Sequence, residues 1–127
     1  MKLFQLSMLF TVFVFCNKLN AQTFEGVWKG TSTCQVKNSP CHDENNVYYI
    51  SKGKGKKYES KGYKIVDGKE DFMGTIVFMY DEKQDVYISD DKDSGSKWEF
   101  KVSNNTMRGT FVSKGILYRV VELKKEN

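Results

Sequence analysis

The sequence predicts an all-β protein, an eight-stranded antiparallel up-and-down barrel. Three observations carry this expectation. Eight short stretches alternate apolar and polar side chains with a period of two, each bounded by turn signals. No stretch sustains a helical period. Aromatic residues make up 14% of the chain and there is a single proline, a composition that suits strands. Short connections pair each strand with its sequence neighbour, and closing eight of them into a barrel removes the free edges that a flat sheet would expose. With 127 residues the chain has room for one such domain.

The N-terminus precedes this pattern. Lys2 is followed by an apolar run from Leu3 to Phe15, interrupted by Gln5, Ser7 and Thr11, and then by Asn17 to Gln22 with Ala21 as the small residue for cleavage. These features predict a signal peptide over residues 1–21 and a barrel domain over 22–127. The run falls short of the roughly 20 apolar residues that a membrane helix needs, and no later stretch is longer. A lipoprotein would use Cys16, but Phe15 stands where a small residue is required. Removing the leader takes away Lys2 and Lys18, so the 20 basic residues become 18 against 16 acidic ones. The lysines alternate with acids along the strands, as on a solvated outer face, so nucleic acid is not an expected partner.

The first strand runs from Phe24 to about Thr33. Gly26, Trp28 and Gly30 share one face, and a large ring between glycines suits a curved strand with Trp28 closing the barrel floor. Cys34 to Asn46 follows as a loop, with Pro40 and many polar residues. Cys16 leaves with the signal peptide, so Cys34 and Cys41 remain as an isolated close pair and read as a disulfide in an exported chain. Such a bridge is worth about 2–3 kcal/mol and pins the loop at one rim. The pair has six residues between its members, unlike a thioredoxin-type pair, and His42 is the only histidine that could join it in a metal site. No metal and no cofactor are expected.

Val47 to Lys52 is the next strand, and Gly53 to Lys57 a turn. Tyr58 to Val66 follows, then Asp67-Gly68, a strong turn signal inside a loop expected to reach Asp71. Met73 to Tyr80 is the most apolar strand. Its Gly74, Ile76, Phe78 and Tyr80 share one face, while Met73, Val77 and Met79 form an apolar stripe on the other. Asp85 to Ser89 comes after a polar turn, and Asp90 to Gly95 is an acidic loop. Trp98, Phe100 and Val102 alternate with Lys97, Glu99 and Lys101 in the clearest in-and-out pattern of the chain. Asn104-Asn105 turns into Thr106 to Ser113, and Lys114-Gly115 into Ile116 to Lys124. The predicted interior is Trp28, Tyr63, Ile65, Ile76, Phe78, Trp98, Phe100, Phe111, Leu117 and Leu123.

Phe24-Glu-Gly26-Val-Trp28-Lys29 resembles the opening Gly-x-Trp strand of the calycin superfamily, which comprises lipocalins, fatty-acid-binding proteins and avidins. The resemblance implies a lipocalin-like barrel with Arg119 of the last strand stacked on Trp28. It also implies a small hydrophobic ligand. The sequence departs from the family in having no helix after the barrel, no two-helix lid and no Thr-Asp-Tyr motif.

No catalytic constellation emerges. His42, Asp43 and Glu44 are consecutive and point in different directions, which suits a solvated rim. Asp90, Asp91, Asp93, Ser94 and Gly95 look like half a calcium loop but lack its spacing and its distal glutamate. The expected function is therefore non-enzymatic: an exported, periplasmic or secreted monomer that binds a small hydrophobic molecule through Trp28, Tyr63, Phe78, Trp98, Phe100, Phe111 and Arg119. The alternative is a filled barrel acting at the cell envelope as a protein-interaction module without ligand.

Overall fold

The computed structural model describes residues 23–127; the predicted signal peptide lies outside them. Eight strands follow one another with no helix between: β1 (Gly26–Cys34), β2 (Glu44–Lys52), β3 (Lys57–Val66), β4 (Lys69–Asp81), β5 (Val86–Asp91), β6 (Ser96–Ser103), β7 (Thr106–Ser113) and β8 (Ile116–Lys125). Each pairs antiparallel with its neighbour, and β1 pairs with β8 to close the barrel. The expected meander is thus the observed one, a closed eight-stranded up-and-down barrel.

Closure depends on how near β1 comes to β8. Gly30 lies opposite Leu123, and a methyl group at Gly30 would overlap the carbonyl of Glu122. Only glycine admits that approach. Turn chemistry sets the hairpins: Asp67-Gly68 and Lys114-Gly115 both carry positive φ at both positions, the two-residue turn that matches strand twist. Because the first of these turns is so tight, β4 starts at Lys69, and the loop expected to reach Asp71 is strand instead. The Cys34 loop is also shorter than expected, since β2 already begins at Glu44.

Two bulges decide which side chains face inward. On β4, Gly62 pairs with Gly74 and Tyr63 with Phe72, which leaves Met73 as an extra residue. On β8, Phe111 pairs with Arg119 and Val112 with Leu117, so Tyr118 is the extra one. Strict alternation fails past each bulge. Tyr63 and Ile65 lie on the outer face, contrary to expectation, because β3 itself keeps strict alternation and turns Tyr58, Ser60 and Gly62 inward. Tyr63 packs edge-on to Tyr49 and against Phe72 there, at centroid distances of 5.4 and 5.3 Å. Leu117 is likewise outward and exposed. Met73, expected on the outer stripe with Val77 and Met79, turns toward Gly62 and Tyr48 on the inner side.

The barrel is packed at one end and hollow at the other. At the packed end Phe24, just ahead of β1, plugs the floor: it stacks on Tyr87 at 3.9 Å and meets Tyr58 and Phe78 edge-on. Trp28 is fully buried beside it and donates its indole N–H to the Phe24 carbonyl at 2.9 Å. Val86, Val102, Met107, Val121 and Leu123 are also buried. The cation over Trp28 is Lys125, with Nζ 5.4 Å from the ring, and not Arg119. Register explains this correction: Trp28 lies opposite Lys125 and Cys34 opposite Arg119, and six residues of strand span about 20 Å.

Candidate functional site

The hollow end carries the site. Its rim is made by the loop 35–43 and the turns that join β3 to β4, β5 to β6 and β7 to β8. Below it lies a cavity of about 390 Å³ lined by Ser32, Glu44, Tyr48, Gly62, Met73, Gly74, Thr75, Ile76, Trp98, Phe111 and Arg119. The volume sits at the low end of the usual range for a small-molecule pocket.

One wall is aromatic. Trp98 stacks on Phe111 at 4.5 Å and lies parallel to Phe100, and these rings alternate inward along β6 and β7. The opposite wall, on β1, β2 and β8, is polar. Arg119 donates from Nη1 to the Ser32 hydroxyl at 3.0 Å and from Nη2 to the His42 carbonyl at 3.1 Å, with the Glu44 carboxylate 3.6 Å away. Both members of this ion pair are mostly buried, at 17% and 18% exposure, so the charges are less screened than on the surface. A guanidinium has five N–H donors, and two of them are spent on these contacts. Asn46, between Glu44 and Tyr48 on β2, donates to Glu44 and to the Tyr63 carbonyl. Its Oδ1 is buried without a partner among the described residues. Burial and then the Glu44 charge push the Tyr48 hydroxyl far above the usual tyrosine range, so it remains a neutral donor at any ordinary pH.

The disulfide holds this polar group together. Cys34 and Cys41 are bonded, with Cα atoms 5.9 Å apart, and the Asp43 carboxylate accepts the Cys34 N–H at 2.8 Å. The loop therefore presents the His42 carbonyl to Arg119. His42, Asp43 and Glu44 do diverge, as expected of consecutive residues, but Glu44 turns into the cavity and not to the solvated rim. In the β5–β6 turn Asp91 accepts the N–H groups of Asp93 and Ser94, and hydrogen bonding from the Ser94 side chain first, then from these N–H groups, lowers its pKa. Its carboxylate is spent on turn chemistry.

Among the residues expected to bind ligand, Trp98, Phe111 and Arg119 line the cavity. Trp28, Phe78 and Phe100 belong to the packed half beneath it, where each is at most 2% exposed. Tyr63 is outside. Sequence reasoning missed Ser32, Glu44, Tyr48 and the glycines Gly62 and Gly74. The parity of β2 already pointed to Tyr48, and would have found Glu44 had the strand been started three residues earlier. A wider concavity of about 710 Å³ lies on the outer face of β6, β7, β8 and β1. Its walls include Lys29, Lys101, Arg108, Lys124, Glu99 and Glu122, a mixed-charge surface of the kind water covers.

No protein-family model matches the chain, and no curated protein matches it. A solved structure of the siderocalin Ex-FABP, described as functioning through dual ligand specificities, is similar at 13% identity and a TM-score of 0.49. The similarity covers 81% of this chain and 69% of that one. Among the described residues, no helix is long and apolar enough to cross a membrane.

Proposed function

We propose that the protein is an exported, non-catalytic carrier or sensor of a small, largely apolar molecule that enters the hollow end of the barrel. The observation that carries this reading is the 390 Å³ cavity, with rings on one wall and Arg119, Glu44 and Tyr48 on the other. Pockets with apolar walls and a few convergent polar groups are where small molecules bind. The rings take the apolar body of the ligand by burial and stacking. Arg119 and Tyr48 donate to an oxygen on it, and Glu44 and the Asn46 Oδ1 accept from a hydroxyl or N–H. Trp28, Phe78 and Phe100 act indirectly, as the packed base that keeps the cavity shallow. This hollow half favours a ligand over the filled, ligand-free interaction module.

Export rests on the leader-like N-terminus and agrees with the Cys34–Cys41 bond, because such bonds persist in oxidising compartments. The mature protein would be a monomer of the periplasm or the medium and begin at Gln22, which N-terminal sequencing of the exported product checks.

Native mass spectrometry of the mature protein, purified gently from its own host, tests the binding role. The expected result is a bound small apolar species in the wild type that is lost from Arg119→Met. A protein that is empty and also leaves the fluorescence of anilinonaphthalene sulfonate unchanged would overturn the reading.

A further inference from the structure

Charge inside the cavity is balanced. Of the residues that line it, only Glu44 and Arg119 carry a formal charge at neutral pH, since the Tyr48 hydroxyl keeps its proton. The two charges are opposite, 3.6 Å apart and mostly buried, so the lumen holds a dipole and no net charge. Each partner is held on more than one side. The Glu44 carboxylate meets Arg119 at Oε1 and accepts from the Asn46 amide at Oε2, 3.3 Å away. Arg119 is fixed in turn by the Ser32 hydroxyl, the His42 carbonyl and Glu44.

This arrangement disfavours an anion. A carboxylate or sulfonate grips a guanidinium best through two parallel N–H groups, and Nη2 belongs to both of the pairs that a guanidinium offers. Here Nη2 already donates to the His42 carbonyl and faces Glu44. An anion that took Nη2 would lie beside the Glu44 carboxylate, and like charges repel strongly in a site that water screens poorly. A cation meets the same difficulty at Arg119. An uncharged group meets neither. It can accept from Tyr48 or from a remaining guanidinium N–H, and it can give a hydroxyl or amide hydrogen to Glu44, whose oxygens have lone pairs beyond those already engaged. On the facing wall the stacked rings of Trp98 and Phe111 offer its body a flat apolar bed.

Resting on the ligand-binding role proposed above, we infer that Glu44 sets the charge class of the ligand: the cavity takes an uncharged molecule that brings a hydrogen-bond donor to Glu44, and it discriminates against carboxylates, sulfonates and other anions of similar size. Arg119 alone would make the hollow end an anion site. With Glu44 beside it, Arg119 is a neutralised donor, and Glu44 is the specificity residue.

Two fluorescent probes built on one skeleton test this on the mature protein: N-phenyl-1-naphthylamine, which is uncharged and carries an N–H, and anilinonaphthalene sulfonate, which adds a sulfonate. The wild type binds both, the uncharged probe more tightly. The readout is the ratio of the two affinities, because a variant that merely loosens the barrel moves both probes together. Glu44→Gln leaves Arg119 without its counter-charge and shifts the ratio about tenfold toward the sulfonate. Arg119→Gln leaves Glu44 without its own and shifts the ratio the other way, which keeps the proposal testable should Glu44→Gln fail to fold. A wild type that prefers the sulfonate, a ratio unmoved by both variants, or shifts in the same direction in both would overturn the role of Glu44 while leaving a ligand in the cavity. Binding of neither probe by the wild type would overturn the ligand role itself.

Discussion

Arg119 and Glu44 sit where a pair is worth most as a pair. Removing one partner leaves the other charge in a mostly buried site, a loss of about 3 kcal/mol, and removing Arg119 also strips Ser32 of its bond. Arg119→Met and Glu44→Gln should each be destabilising in urea unfolding, and the double variant should lose clearly less than their sum. Tyrosines supply a second prediction. Burial above all raises the Tyr87 pKa from 10.0 to about 12, and Tyr48 is raised further still. Above about pH 10 the unfolded chain sheds these protons while the folded barrel keeps them, so stability falls between about pH 10 and 12. In an alkaline titration the last tyrosinate absorbance should appear together with loss of the far-ultraviolet dichroism. Stability of Tyr48→Phe should decline less steeply over the same range. At this scale the sequence was a partial guide. Trp98, Phe111 and Arg119 reach the cavity because inward alternation holds through them, whereas Glu44 was concealed by a strand start assigned too late.

At the scale of the element, all eight strands were legible, since period-two patterning and turn residues such as Asp67-Gly68 and Lys114-Gly115 act locally. What could not be read were the two bulges. One extra residue at Met73 and another at Tyr118 cost nothing in the apolar pattern, yet the first turns Met73 toward Gly62 and the second puts Leu117 outside. The Arg119–Trp28 stack failed for a related reason, because strand register is a long-range property that an alternating pattern leaves open. The Cys34 loop carries the prediction for this scale. Cys34→Ser with Cys41→Ser should cost about 2–3 kcal/mol by denaturant unfolding. It should also weaken anilinonaphthalene sulfonate binding several-fold in a fluorescence titration, because the freed loop no longer presents the His42 carbonyl to Arg119. Unchanged binding in the destabilised variant would separate the loop from the site.

For the whole molecule, the division of labour between the two ends matters more than the strand count. Phe24, Trp28, Phe78, Tyr87 and Phe100 supply a core of interlocking rings at one end, and that core lets the other end stay hollow and polar. The sequence offered a filled barrel and an empty one as alternatives; one chain contains both, and only the inward order of residues along each strand separates them. Closure is the vulnerable step. Gly30→Ala would drive a methyl group into the Glu122 carbonyl, so β1 and β8 could not meet. Circular dichroism and a thermal scan should find it largely unfolded or melting far below wild type, while an exposed-turn change such as Gly68→Asn should leave the melting temperature nearly unchanged.

The clasp at the packed end ties Lys125 to Thr23 through both the backbone carbonyl and the hydroxyl, a link across 102 residues. A ribosome makes those partners at opposite times. While the chain is still emerging, β1 has β2 on one side and nothing on the other, and Phe24 has no floor to plug. The barrel therefore cannot close until β8 has followed β1.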